Sequence, residues 1–107
     1  MYLNVFEYRL RPDADIQEWI RLAEEMSALV AAEDQFEFVD LKHFATSDTE
    51  GVILERFASI NGATAWIRDA RHRDAMRRGK QEFYAWYRGY GCIVDHEYCQ
   101  PRPPADE

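Results

Sequence analysis

No run of apolar residues in the sequence approaches the roughly 20 residues that a membrane-spanning helix needs. The N-terminal apolar segment carries Glu7 and Arg9 and has no cationic start, so we expect no signal peptide. Cysteine is scarce. Cys92 and Cys99 have opposite strand parity, which predicts that they point to opposite faces and stay unbonded. These absences predict a protein of the reducing cytoplasm.

Basic charge is in deficit, with 13 Lys and Arg against 20 Asp and Glu and a net charge of -7. Such a chain repels phosphate backbones, so nucleic acid is not an expected partner. The one basic cluster, residues 68–80, also contains two Asp and is interpreted as a solvated helix face. The sequence also lacks CxxC, HExxH, paired His at i and i+4, and GxGxxG. We therefore expect no metal site and no nucleotide cofactor.

Aromatic residues, by contrast, are abundant: three Trp, six Tyr and six Phe in 107 residues. One small core cannot easily hold them all, so some are expected to line a pocket or a subunit interface. The length suits one domain, which we place at residues 1–99. Residues 100–107, rich in proline and acid, are expected to form a flexible tail.

Hydrophobic periodicity predicts the element order β-α-β-β-α-β. The predicted strands are 2–11, 36–46, 52–58 and 90–99, and the predicted helical regions are 12–34 and 59–89. Asp13 or Asp15 is expected to cap the first helix, and the second should bend near Asp69–His72, with Gly79 as a further weak point. This order is typical of the ferredoxin-like α+β fold, a four-stranded antiparallel sheet with its helices on one face.

The first and third strands are apolar on both sides. Leu3 and Val5 alternate with Asn4 and Phe6, and the third strand repeats this pattern. Because the helices can cover only one face of the sheet, the other face needs a partner. We therefore predict a homodimer in which the two sheets pack against each other.

Three motifs carry a resemblance to a known family. They are "ERFAS" at the end of the third strand, "ATAWIRDARHRDAMRRG" with Trp66, Asp69 and His72 in a W-x-x-D-x-x-H arrangement, and "EFYAWYRGYGCIV" near the last strand. The sequence thereby resembles the antibiotic biosynthesis monooxygenase-like family of dimeric α+β barrels. The resemblance implies a dimeric eight-stranded barrel with a pocket in each protomer, between the sheet and the long helical region.

The resemblance implies more than one chemistry. Some members oxidise aromatic polyketide phenols with O₂ and no metal or flavin, others bind and degrade haem, and many have no assigned reaction. Haem-degrading members have an Asn on strand one, a Trp on helix two and a ligand His about three turns later. Trp66 matches, but Tyr8 stands at the Asn position and Met76 near the His position. Haem degradation therefore ranks below the other readings.

A cofactor-free phenol oxygenase needs an apolar pocket, a base and a donor to the developing oxyanion. The candidate catalytic residues are His72, Tyr8 and His43, because imidazole titrates near neutral pH and a phenol can donate. The candidate substrate-binding residues are Trp66, Asn4, Phe57, Met76 and Tyr84.

Each of these residues also has a structural interpretation. Trp66 lies on the apolar edge of a helix and can pack in the core, His72 can cap a helix end, and His43 can face an interface. We therefore predict a cofactor-independent monooxygenase that acts on a small aromatic or polycyclic phenol or quinol. The alternative is a non-enzymatic ligand-binding or stress-associated barrel protein.

Overall fold

The computed structural model describes residues 1–101; the predicted tail beyond residue 101 lies outside the described residues. Its strands are β1 (Tyr2–Leu10), β2 (Phe38–Ala45), β3 (Glu50–Phe57) and β4 (Tyr84–Ile93). They form one sheet in the order β2-β3-β1-β4, and all neighbouring strands are antiparallel. The predicted ferredoxin-like α+β architecture is confirmed.

The helices are α1 (Ile16–Ala32), α2 (Ile60–Arg68) and α3 (Ala70–Arg78), with a 3₁₀ turn at Asp34–Phe36 and a π-helical turn at Gly79–Phe83. Asp15 is the residue that caps α1, since its carboxylate accepts a hydrogen bond from the Glu18 amide at 3.1 Å. None of the helices among residues 1–101 has the length and hydrophobicity of a membrane span.

The predicted bend in the second helical region lies at Asp69. This residue is extended (φ -62°, ψ 131°), so α2 ends there and α3 begins after it. Its carboxylate accepts hydrogen bonds from the Arg71 amide at 2.9 Å and the His72 amide at 3.4 Å. The Arg71 side chain holds the pKa of Asp69 at about 2, so the cap stays ionised. The break fixes the direction of α3 across the sheet.

The predicted boundary between the last helix and the last strand is wrong. The helical region ends at Phe83 and not at residue 89, and β4 spans Tyr84–Ile93 and not residues 90–99. Tyr87 and Trp86 pair with Tyr8 and Arg9 of β1. Aromatic residues suit the pleated surface of a sheet, and cross-strand pairing overrides the weak helical pattern of this segment.

Arg11, just after β1, stabilises the end of the π-helical turn. Its guanidinium donates hydrogen bonds to the backbone carbonyls of Lys80 at 2.8 Å, Gln81 at 2.6 Å and Tyr84 at 3.1 Å. Carbonyls at a helix end lack partners within the helix, and a cationic donor satisfies them. One side chain therefore fixes where the chain leaves the helices and enters β4.

Two groups of buried side chains form the core between the sheet and the helices. One consists of Val30, Phe36, Phe57, Ala63 and Trp66, and the other of Tyr8, Leu10 and Phe83. Both lie on the helix-covered face of the sheet.

Gly62 lies where α2 packs against the 3₁₀ turn, so a substitution at this position tests that packing. A Cβ at this position would lie 2.4 Å from the Phe36 carbonyl oxygen, which is backbone and cannot rotate away. We expect Gly62→Ala to lower the free energy of unfolding by about 1–3 kcal/mol, because overpacking outweighs the ~1 kcal/mol gain in helix propensity. Urea denaturation measures the change.

Gly89→Ala is the matched control for this prediction. A Cβ on Gly89 would meet nothing closer than 3.9 Å. The variant should therefore be unchanged or slightly stabilised, since alanine lowers the entropy of the unfolded chain. Equal destabilisation of both variants would contradict the packing argument.

Candidate functional site

A cavity of about 180 Å³ lies between the sheet and the helices. Its floor is made by side chains of β1 and β3, and its roof by α1, α2 and α3. The walls are mostly apolar and aromatic, with contributions from Phe6, Trp19, Ile53, Phe83 and Tyr87. Such a lining, with a few polar groups, is the usual setting for a small-molecule site.

The polar group on the floor is a cross-strand pair, Asn4 and Glu55. The two residues are opposite each other in the β1–β3 register. The Asn4 side-chain amide donates a hydrogen bond to a Glu55 carboxylate oxygen at 2.9 Å. Burial raises the pKa of Glu55, and the bond from Asn4 opposes that rise. Among residues 1–101, Glu55 is the only acidic residue on the cavity wall, and its raised pKa suits a proton acceptor.

Sequence reasoning missed Glu55, although a signal was present. Ile53, Glu55 and Phe57 alternate on β3, so the carboxyl shares a face with two apolar side chains. An acid on the core-facing side of a central strand is uncommon unless it has a partner. Asn4 on the neighbouring strand is that partner.

On the roof, His72 stacks on Trp66. The ring centroids are 4.2 Å apart with an interplanar angle of 19°, and His72 Nδ1 lies 3.1 Å from the Trp66 carbonyl oxygen. A carbonyl only accepts, so Nδ1 carries the proton and Nε2 is the acceptor. Burial lowers the pKa of His72, so the ring is neutral at neutral pH. His72 therefore presents a neutral imidazole at the cavity wall.

Tyr8 and His43 form a second polar pair, with 2.5 Å between the Tyr8 hydroxyl and His43 Nε2. Gly51 makes this approach possible, since a Cβ there would lie 2.6 Å from the Tyr8 hydroxyl oxygen. Burial raises the pKa of Tyr8, so the phenol stays protonated and donates to His43. The pair does not line the cavity, but the Tyr8 ring contacts the rings of Trp19 and Tyr84, which do.

The cavity brings together five of the eight residues predicted from the sequence: Asn4, Trp66, His72, Met76 and Tyr84. Tyr8 and His43 lie beside it as a pair. Phe57 is not on the wall. It is 1% exposed and packs edge to face on Phe38, because its position at the end of β3 places it in the core.

The fold has many solved counterparts. A protein assigned as an antibiotic biosynthesis monooxygenase from Deinococcus radiodurans superposes with a TM-score of 0.77 at 8% identity, over 95% of this chain and 100% of that one. A similarly assigned protein from Nitrosomonas europaea gives 0.72 at 11%, over 90% and 100%. The chain has the antibiotic biosynthesis monooxygenase fold.

SnoaB, a cofactor-independent oxygenase from Streptomyces nogalater, shares this fold with a TM-score of 0.75 at 9% identity, over 92% of this chain and 97% of that one. No protein-family profile and no curated protein matches the sequence. At these identities the likeness establishes a shared fold and leaves the reaction to be argued from the site.

The cavity does not fit haem. Pockets for drug-sized ligands measure about 300–1,000 Å³, and a tetrapyrrole is larger than many such ligands, whereas this cavity measures about 180 Å³. The family resemblance implies that the ligand His of haem-degrading members falls near residue 76, which is Met in this chain. Among residues 1–101, no group of three His, Cys, Asp or Glu could hold a metal ion.

The raised pKa of Glu55 predicts a pH-dependent stability. The folded state binds this proton more tightly than the unfolded state, so Glu55 costs stability as pH rises from its unfolded pKa through its folded pKa. Relative to the native protein, Glu55→Gln should therefore gain stability as pH rises above the ordinary pKa of a glutamate, about 4.3. Urea denaturation at pH values below and above this pKa measures the difference. Glu24→Gln, an exposed position on α1, should show no such trend, and a flat profile for both variants would contradict the burial of Glu55.

Proposed function

We propose that this protein is a cofactor-independent monooxygenase that oxidises a small hydroxylated aromatic molecule with O₂. The observation that carries the proposal is the half-buried, hydrogen-bonded Asn4–Glu55 pair on the floor of an aromatic cavity. Aromatic walls hold the ring, and Glu55 supplies the base that activation of a phenol requires. The shared fold with the cofactor-independent oxygenase SnoaB supports the same chemistry.

The reaction begins with the transfer of the phenolic proton to the Glu55 carboxylate. The raised pKa of Glu55 narrows its gap to that of a phenol, near 10, and so lowers the cost of the transfer. Asn4 stays within hydrogen-bond reach of the carboxyl and holds it in place. The electron-rich phenolate then reduces O₂, and a carbon–oxygen bond forms at the ring to give a hydroperoxide.

The hydroperoxide then loses water. The C–H bond at the oxygenated carbon breaks, its electron pair forms the second carbonyl, the O–O bond breaks, and hydroxide leaves with a proton as water. For a naphthol the balance is C₁₀H₈O + O₂ → C₁₀H₆O₂ + H₂O, so the substrate supplies all the electrons and no external reductant is needed. One oxygen atom enters the quinone and the other becomes water.

The size of the cavity narrows the substrate class. An engineered protein cavity of about 150 Å³ is known to bind benzene, and this cavity of about 180 Å³ is only slightly larger. It therefore holds one ring fully, and a second fused ring extends toward the mouth. We infer one- or two-ring phenols and not larger polycyclic compounds.

We also propose that the protein is a homodimer formed through the outer face of the sheet. The side chains on this face come from the strand positions that alternate with the core-facing ones. Its apolar members are Leu3, Val5, Phe44, Val52, Leu54, Trp86 and Tyr90. Phe44, Trp86 and Tyr90 are more than 40% exposed in the single chain, a cost that a second copy of the same face would remove.

Oxygen uptake with a panel of naphthols, quinols and anthrones tests the proposed activity. We expect turnover with the smallest members, and incorporation of one labelled oxygen atom from O₂ into the product by mass spectrometry. Glu55→Gln should lower kcat by about 10²–10⁴-fold, because the base is lost while the shape of the side chain is kept.

Glu24→Gln is the control for oxygen uptake, since Glu24 is exposed on α1 and remote from the cavity wall. Quenching of tryptophan fluorescence measures binding in parallel, because Trp19 and Trp66 line the cavity. Binding without oxygen uptake would reject the enzyme and favour the ligand-binding alternative. Uptake that Glu55→Gln leaves unchanged would reject Glu55 as the base.

Sedimentation equilibrium tests the dimer. We expect the native protein to sediment with twice the mass of one chain. The Leu54→Arg variant should sediment as a monomer, because a charge at the centre of the buried face cannot be solvated. Ile60→Arg is the matched control, since Ile60 lies on α2 and is 50% exposed. A monomeric native chain, or a Leu54→Arg variant that still dimerises, would reject this interface.

A further inference from the structure

The mouth of the cavity can be located from the exposure of its lining. Among the lining residues only Met76, Lys80 and Tyr87 are exposed, Met76 to 42% and Tyr87 to 41%. Met76 belongs to α3, Lys80 to the π-helical turn and Tyr87 to β4. The mouth therefore opens between that turn and the edge strand β4.

Among the described residues that line the cavity, Lys80 is the only exposed one that carries a charge. It makes no ion pair among residues 1–101. The arginines that precede it are paired: Arg78 contacts Glu82 at 2.7 Å and Glu18 at 3.3 Å. The backbone of Lys80 is held by a hydrogen bond from the Arg11 guanidinium to the Lys80 carbonyl oxygen. The Lys80 side chain therefore extends from a fixed backbone position at the rim of an apolar cavity, and its ammonium group is available to a ligand.

The carboxyl of Glu55 lies on the sheet side of the cavity, on β3 and beside Asn4 of β1. An anionic group placed there would meet a like charge in a poorly solvated site, which is costly. An anionic group at the mouth would instead lie near Lys80 and remain in contact with water. These two charges therefore give a bound aromatic molecule one preferred direction, with its hydroxyl inward and any anionic substituent outward.

We propose that the substrate class of this site is the hydroxylated aromatic carboxylates, with Lys80 as the residue that recognises the carboxylate. This inference rests on the proposed function, since it takes the phenolic end to be bound at Glu55. Lys80 acts as a specificity residue and not as a catalytic one, because it lies at the rim and away from the Asn4–Glu55 pair. The net charge of -7 works against anions, so the preference has to come from local contact and not from long-range attraction.

Two matched probes test the proposal: 6-hydroxy-2-naphthoate and 6-hydroxy-2-naphthamide, which share ring, hydroxyl and shape and differ in charge. We expect the native protein to bind the carboxylate about two- to fivefold more tightly than the amide, as for a solvent-exposed ion pair. The preference should shrink in high salt, where charges at the surface are screened. Tryptophan quenching gives both dissociation constants.

The chain has two lysines, which provides the control. Lys80→Met should abolish the preference and leave amide binding unchanged, and Lys80→Arg should retain it. Lys42 is exposed on β2 and does not line the cavity, so the Lys42→Met variant should keep the native preference for the carboxylate.

The outcomes separate this inference from the proposed function. If both probes bind equally to the native protein, or if the preference survives in Lys80→Met, the inference is wrong while the aromatic site stands. If neither probe binds, the inference and the aromatic site both fail. If the amide binds and is oxidised while the carboxylate is rejected, the activity stands and the assigned substrate class is overturned.

Discussion

The site depends on the antiparallel register between β1 and β3. This register places Asn4 directly opposite Glu55 on the face of the sheet that the helices cover. A buried carboxyl without a partner would cost several kcal/mol, and the Asn4 amide supplies a hydrogen bond at 2.9 Å. A shift of β3 by one residue would turn Glu55 to the outer face and away from Asn4. The polar floor of the cavity therefore requires both side chains, and the strand pairing is what brings them together.

The roof depends on how the second helical region is interrupted. Asp69 ends α2 and caps α3, and Arg11 satisfies the carbonyls where the π-helical turn gives way to β4. Between these two points α3 contributes no buried residue, although His72, Ala75 and Met76 face the cavity. The ends of α3 are fixed by these contacts and His72 stacks on Trp66, while exposed ion pairs such as Arg71–Glu33 at 2.9 Å add little. The helix covers the cavity without filling it, because none of its side chains is fully buried.

The fold was predictable because its main signals are local. The alternation of β1, the cap at Asp15 and the bend at Asp69 all follow from residue type and spacing, and the structure has all three. The start of β4 was not predictable in this way. Tyr84, Trp86 and Tyr87 fit a helix or a strand equally well, and pairing with distant β1 decides between them. The outer face of the sheet was correctly recognised as apolar, and the dimer remains a prediction.

The site was only partly predictable, since it depends on contacts between distant segments. Trp66 and His72 are six residues apart, and their stacking follows from the break between them. Tyr8 and His43 are 35 residues apart, and the glycine at position 51 is what allows them to meet. Glu55 was overlooked because acids on strands are usually solvated, and only the apolar neighbours on its own face distinguish it.

The charge distribution explains how an acidic protein can have an almost uncharged cavity. On the outside of α1 and α3, arginines pair with acids and neutralise them, as in the Arg21–Glu18 and Arg78–Glu82 pairs. The cavity wall keeps two charged residues, Glu55 at the sheet and Lys80 at the mouth. In a poorly solvated space two opposite charges act over longer distances than in water. Under the proposed function these two charges orient the bound aromatic molecule, whereas the aromatic walls determine only that a ring is held.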